Sequence, residues 1–496
     1  MRSGRKGAAA LAALFICTST WGLDRAQVEK LASDDNDEKI AAIAALVAEG
    51  DPKAADVLRQ AAEGEIEIDG KKVEIVVNNR VRGRIAEALS VLQLLSQDGN
   101  ERLAAAKALA GGADPALLSL ILKAKEKETD PEIKALLDMT VAGMQLKSED
   151  RAERLAAIRM LGSSNNKALL LEAAADPDED VRLEAQKSLR AIEGRLVFGE
   201  WLGLAFAGAS LGSILLLAAL GLAITYGLMG VINMAHGELI MIGAYTTYVV
   251  QNFSRGSGFF DWYLLAAIPA AFLVSGAVGM LLERSVIRWL YGRPLETLLA
   301  TWGISLVLIQ AVRTVFGAQN VQVENPAFMS GGIQVLSNVV LPWSRIWIVV
   351  FAAAALFAVY SLLTKTRLGL YIRGVTQNRD MAACVGVPTG RIDTWAFGLG
   401  SGIAGLAGCA LSQLGNVGPD LGQAYIVDSF LVVVFGGVGQ LAGTVYAALT
   451  LGFANKLLES WSGAVLAKIA LLVFIIVFIQ RRPQGLFALK GRAVEA

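Results

Sequence analysis

Residues 201–238 read WLGLAFAGASLGSILLLAALGLAITYGLMGVINMAHGE. From Trp201 to Thr225 there is no charged residue, and about 18 such apolar residues suffice for a membrane helix. The end of the stretch, Gly227–Glu238, holds the sole histidine of the 496 residues. An imidazole (His236), an amide (Asn233) and a carboxylate (Glu238) set among glycines between two apolar runs are costly at membrane depth. Such groups usually face a bundle interior or a water-filled path. The stretch therefore predicts a polytopic membrane protein whose chain is broken by a polar, functional element.

Working outward, residues up to about Glu200 are rich in acidic and basic side chains, and long apolar runs follow. Apolar segments are expected at about 201–225, 237–251, 262–282, 298–315, 346–363, 395–414, 426–456 and 464–480. The 426–456 run is too long for one span and is interrupted by GGVGQLAG (Gly436–Gly443), so it reads as two shorter segments. This makes about 8–9 segments in a permease-like domain over 196–496. Broken helices at membrane depth are tolerated only inside protein or beside a cavity. That makes 426–456 a second candidate for a substrate path. Asp428 within it costs roughly 2.5–3.5 kcal/mol to insert. It either lines the path or sits at the outer membrane edge in water.

The formal net charge is zero, which gives no nucleic-acid footprint. Cys17, Cys384 and Cys409 are scattered without metal spacing, so no disulfide framework, metal or cofactor is expected. Gly400–Gly405 (GSGIAG) and Gly437–Ala442 match the letters of a dinucleotide fingerprint, but both lie in apolar spans and read as helix-packing glycines. There is no phosphate-binding GxxxxGK[ST] loop and no Ser-His-Asp arrangement, so no catalytic residue is assigned and the chain is not read as an enzyme.

Residues 1–23 have the basic start and short apolar stretch of a secretory signal. Residues 24–195 would then be exported. Within them Lys39–Leu46 (KIAAIAAL), Arg102–Leu109 (RLAAAKAL), Arg154–Leu161 (RLAAIRML) and Arg182–Leu189 (RLEAQKSL) repeat one helical pattern. Asp/Asn clusters suited to helix starts precede three of the four. The pattern resembles HEAT-type repeats, in which helix pairs stack on a shared core. Glu65–Val77 alternates around Asp69-Gly70 and predicts a hairpin. The array reads as a partner-binding module or a passive cap.

Basic residues mark cytoplasmic loops, which places Arg284–Arg293, Lys365–Arg391 and the C-terminal tail on that side. An exported start and a cytoplasmic end require an odd number of crossings. This puts the Gly227–Glu238 break near the cytoplasmic end of the first crossing. In the loop Arg367–Asp393, Gln377–Val385 is expected to form one short helix with Gly386 as its C-cap and Pro388 beyond. Met381, Ala382 and Val385 would form its apolar face, suited to a groove on a soluble partner.

These elements together resemble the ABC-transporter permeases for branched-chain amino acids and urea. The residues that carry the resemblance are Gly227–Gly237, Glu283–Ile304, Arg373–Val387, Gly436–Thr444 and Arg482–Phe487 (RPQGLF). Asn416–Phe430 (NVGPDLGQAYIVDSF) and the exported domain make the chain most similar to the urea permease. The resemblance implies a cytoplasmic-membrane importer with a second permease subunit, two cytoplasmic ATPases and a periplasmic substrate-binding protein, embedded in lipid. It implies docking of an ATPase on Arg373, Gln377, Asn378, Ala382 and Gly386. Asn233, His236, Glu238 and Asp428 are the candidate path residues. His236 either lines the path or holds the broken backbone in shape. Branched-chain amino acids or short amides are the alternative substrates, and a passive channel or a membrane-anchored scaffold are the competing classes.

Overall fold

The computed structural model describes residues 25–48, 52–68, 71–110, 112–164, 166–256, 258 and 260–487. The expected signal at 1–23, Cys17, the hairpin turn Asp69-Gly70, and Lys490 and Arg492 of the tail lie outside the described residues. Two compact units make up the chain, Met1–Leu196 and Val197–Ala496.

The first unit begins with α1 (Arg25–Lys30), α2 (Asn36–Ala48) and α3 (Pro52–Glu63). A hairpin of β1 (Glu65–Ile68) and β2 (Lys71–Glu74) follows, with Glu65 opposite Glu74 and Ile68 opposite Lys71. Then come α4 (Asn79–Gln93), α5 (Gly99–Leu109), α6 (Leu118–Lys127), α7 (Pro131–Gln145), α8 (Arg151–Ser164) and α9 (Lys167–Ala173). The first residues of α10 (Glu179–Met229), up to Leu196, complete it. Helices pack mainly on close sequence neighbours: α4 on α5, α5 on α7, α7 on α8. The apolar stripes supply the core, with Ile43 and Leu46, Ala106 and Leu109, and Ile158 and Leu161 all buried.

The repeated pattern carries a repeated set of hydrogen bonds. Ser33, Ser96 and Ser148 each accept the N–H two residues on, at 3.2 Å. The carboxylates of Asp35, Asp98 and Asp150 then each accept the N–H two residues further, at 2.9–3.0 Å, which satisfies a first-turn donor. Four residues after that Asp stands the basic residue of the pattern. Arg102 donates to the carbonyls of Ser96 and Gln97, and Arg154 to those of Ser148 and Glu149. Each arginine also reaches a carboxylate at the entry to a later helix, Glu128 at 2.8 Å and Asp176 at 3.3 Å. The spacing Ser-x-Asp-x-x-x-Arg thus closes one turn and ties it to the next.

The second unit contains the rest of α10, then α11 (His236–Ser254), α12 (Tyr263–Ser285), α13 (Pro294–Phe316) and a hairpin of β3 (Gly332–Leu336) and β4 (Val339–Pro342). It continues with α14 (Trp343–Lys365), α15 (Arg367–Gln377), α16 (Arg379–Cys384) and α17 (Thr389–Ser412). Last are α18 (Leu421–Gly436), α19 (Leu441–Ser462) and α20 (Ala464–Arg481). The fold is all-α and polytopic, with two small hairpins, of which β3–β4 was not expected. Among the described residues seven helices are long and apolar enough to cross a membrane: α10, α12, α13, α14, α17, α19 and α20. The expected 8–9 segments all form helices, but α18 is only 16 residues long and α11 also falls outside the seven. The expected split of 426–456 is present, with Gly437 at φ 101° and Gly439 at φ 81° in the turn.

Close backbone packing holds α11, α12 and α17 together. A side chain on Gly408 would run into the Ile240 carbonyl, and one on Gly243 into the backbone of Gly405. On Gly405 it would lie 2.5 Å from the Ala271 carbonyl, and on Gly402 2.6 Å from the Phe272 ring. The Gly400–Gly405 glycines are thus packing residues, whereas Gly437 and Gly439 of the second match serve the turn between α18 and α19. By contrast α14 buries only Ile348, Ala352 and Val359, and α20 only Ala467, Leu471 and Ile475. Each is a single apolar stripe on an otherwise exposed apolar helix, as suits a lipid-facing position.

The basic segments gather at one end of this unit. Arg288 reaches the Gly390 carbonyl and the Thr394 hydroxyl. Leu486 and Phe487 donate to the carbonyls of Phe435 and Gly436. A cavity of about 740 Å³ joins Gly227, Thr364, Arg373, Gln377 and Gln440 at the same end.

Candidate functional site

Helix α10 ends at Met229, and Gly230 turns the chain at φ 64°, a conformation L side chains avoid. The next residues are not helical until α11 begins at His236. Asn233 shapes this passage, because its side-chain oxygen accepts the Ala235 N–H at 3.0 Å. Its own carbonyl accepts the N–H of His236.

Four neighbouring helices clamp the passage. The His236 Nε2–H donates to the Ala218 carbonyl of α10 at 2.9 Å. The Thr301 hydroxyl oxygen of α13 accepts the Met234 N–H at 3.1 Å, and Ser305 of the same helix is the hydrogen-bond partner of Glu238. From α12, Ser275 donates to the Leu239 carbonyl at 2.5 Å. On the α18 side, a side chain on Gly237 would come 2.7 Å from the Gly422 carbonyl.

This geometry extends the break inward. His236 bonds to Ala218, eleven residues before Met229, so it lies about 16 Å back along α10 at 1.5 Å per residue. The chain returns along α10 in non-helical form before α11 starts. The break therefore begins at the end of α10, where Gly227 lines the cavity beside Arg373, and runs back to place His236 deep in the bundle. A parity count fixes the side on which a helix ends, but it cannot see a chain that re-enters.

Asn233, His236 and Glu238 are at most 2% exposed, and each keeps one polar atom without a protein partner: Nδ2, Nδ1 and Oε2 respectively. Buried polar atoms are nearly always hydrogen-bonded. Together the three supply a donor (Nδ2), an acceptor (Nδ1, given that Nε2 carries the proton) and a carboxylate oxygen. Thr297, Thr301 and Ser305, missed in the sequence, are buried on the one inward face of α13. Their signal was four-residue spacing of hydroxyls in an apolar span, which puts them on a single helix face.

Asp428 is not brought to this group. It forms an ion pair with Lys468 of α20 at 3.2 Å, and its side chain is 22% exposed. The lysine lies across a helix interface that sequence spacing does not reveal, and it offsets the expected insertion cost.

The docking segment also differs from expectation. Gln377–Val385 is not one helix. Asn378 interrupts it at φ −155°, and the Asn378 side chain caps α16 by accepting the Met381 N–H. Gly386 at φ 86° ends α16, and the Val387 N–H closes back on the Ala382 carbonyl. Met381 and Val385 are exposed, but Ala382 is buried against Ile372, Ile392 and Ala396. Ala382 therefore holds α16 in place rather than forming its outer face. On α15, Arg373 and Gln377 line the 740 Å³ cavity.

The family profile described as "Branched-chain amino acid transport system / permease component" matches residues 204–480. The high-affinity branched-chain amino acid transport system permease protein LivH of Salmonella typhimurium is 28% identical over 289 residues, covering 57% of this chain and 93% of that protein. The corresponding protein BraD of Pseudomonas aeruginosa is also 28% identical, over 287 residues, covering 56% and 93%. LivM of Escherichia coli K12 is 27% identical over 303 residues, covering 56% and 68%. No solved structure matches significantly. The profile match lies within the second unit, and the members are permease components rather than enzymes. The chain belongs to the permease-component family of branched-chain amino acid transport systems.

Proposed function

We propose that this chain is the permease subunit of an ATP-driven importer for branched-chain amino acids. The observation that carries the reading is similarity along 93% of the length of LivH and of BraD, both named for that transport system. The break supports it. Helix α11 starts inside the bundle with no side-chain cap, and a helix N-terminus favours a carboxylate. The amide nitrogen of Asn233 and the oxygen of Glu238 add a donor and an acceptor for a zwitterion. Asn233, His236 and Glu238 are the proposed path residues, joined by Thr301 and Ser305. Asp428, paired elsewhere, is left out.

The sequence-based expectation of urea gains nothing from these relatives, which are named for branched-chain amino acid transport; of its two supports, Asn416–Phe430 lies within the matched residues and the first unit outside them. Uptake decides between the two. Cells expressing the assembled system should accumulate labelled leucine in competition with valine. Accumulation of labelled urea without leucine would overturn the substrate assignment.

The remaining parts of the machine follow from this reading: a second related permease subunit, two cytoplasmic ATPases on the end that gathers the basic segments, and a periplasmic binding protein. The exposed side chains of Met381 in α16 and Val385 just after it, with Arg373 and Gln377, form the ATPase docking surface. Positive segments mark the cytoplasmic side, which leaves the first unit, a stack of helices, in the periplasm as a partner-binding module.

A further inference from the structure

Four charged side chains meet beneath the docking helix. Glu283, at the end of α12, is 0% exposed. It accepts hydrogen bonds from the Thr394 hydroxyl at 2.6 Å, the Tyr291 hydroxyl at 3.0 Å and the Arg288 guanidinium at 3.3 Å. Asp393, nearly as buried, pairs with Arg379, the first residue of α16. The Arg379 guanidinium also lies over the Tyr291 ring, 5.3 Å from its centroid. Two carboxylates and two guanidiniums thus balance, which a buried carboxylate requires.

Three separate elements are joined in this way. Arg379 belongs to α16, Glu283 to α12, and Asp393 and Thr394 to α17. The α12 and α17 helices are locked together by backbone contact, and α11 is locked onto α17 through Gly243 and Gly408. The start of α11 is the break that holds His236 and Glu238. Packed helices move as units because cores are not continuously deformable.

We propose that the Arg379–Asp393 pair and the Tyr291–Glu283–Thr394 chain are positioning residues that carry displacement of α16 to the α11–α12–α17 block, and so to the break. The proposal rests on the reading of α16 as an ATPase docking element. Glu283 and Tyr291 act without touching either the ATPase or the solute.

The test uses the whole importer with its ATPases, reading two quantities: ATPase copurification, and labelled leucine (or urea, should uptake identify it) moved per ATP hydrolysed. Arg379→Ala should retain the ATPases but move roughly tenfold less solute per ATP. The exchange of Arg379→Asp with Asp393→Arg should recover most of that loss, because it restores the internal pair. Tyr291→Phe, a small interior change, should lower the ratio severalfold with the ATPases still bound. An unchanged ratio in Arg379→Ala or in Tyr291→Phe overturns the link. Loss of the ATPases in Arg379→Ala without recovery in the exchange variant also overturns it, because Arg379 would then be a direct docking contact. Failure of the unaltered chain to copurify with any ATPase would instead overturn the docking reading itself.

Discussion

The two units solve the packing problem with different chemistry. In the first, apolar stripes supply the core, and a repeated Ser, Asp and Arg set closes the turns before α5 and α8. In the second, glycines bring backbones into contact across α11, α12 and α17, and few charged groups are buried. The difference follows from the solvent. In water, burying Leu and Ile drives association. Lipid is as apolar as leucine, so helices associate there through close packing and interhelical hydrogen bonds. The same letters therefore carry different weight in the two halves. A leucine is structural information in the first unit, and a glycine is structural information in the second.

Substitutions can break that comparison. The largest expected effect is at Gly408, where any side chain meets the Ile240 carbonyl and the backbone cannot yield. Gly408→Leu should leave no folded permease, measured as loss of the monodisperse species after detergent extraction. Gly258, with open space around it, should accept a side chain without effect. Next is Leu161, fully buried in the core of the first unit. Leu161→Ala should cost about 2–5 kcal/mol, seen as a lower unfolding temperature of that unit while the second unit's transition is unmoved. If Gly408→Leu is tolerated and Leu161→Ala collapses both units, the contrast is wrong.

A smaller effect tests the polar group inside the membrane unit. His236→Gln can keep the bond to the Ala218 carbonyl, so uptake should stay within about threefold of the unaltered chain. His236→Ala removes that bond, and uptake should fall roughly tenfold. Equal loss in both would show that the unpartnered Nδ1, not the clamp, is what transport needs.

The legible parts of the sequence were those with a local period. The repeat helices, the split at Gly436–Gly443 and the packing role of the Gly400–Gly405 run all follow from spacing along one segment. The break was visible as chemistry but its depth was not, because its partners Ala218, Thr301 and Ser305 come from other segments. Asp428 looked unpaired because Lys468 is forty residues away. Ala382 looked like surface because its burial depends on Ile392 and Ala396, which only the fold brings near. Asn378 was read as part of a helix, although its side chain competes for the helix start as asparagine does.

The subtlest expected effect returns to the aqueous unit and to a charge instead of a glycine. The hydrogen bond from Arg102 holds the Glu128 carboxyl below the usual glutamate range, with the N–H groups of Asp130 and Thr129 helping and burial opposing. A carboxylate whose pKa is lower in the folded chain stabilises the fold above its unfolded pKa. That contribution is lost as pH falls through the folded value. The unfolding temperature of the first unit should therefore decline as pH drops below about 4. In Glu128→Gln the part of that decline owed to this group should vanish, a difference of about 2 °C or less. Glu193, paired with Lys167 on the surface, should contribute less, because exposed pairs are screened. If Glu128→Gln and Glu193→Gln change the acid limb equally, the repeated arginine clamp is no stronger than an ordinary surface pair, and the first unit is held by its apolar stripes alone.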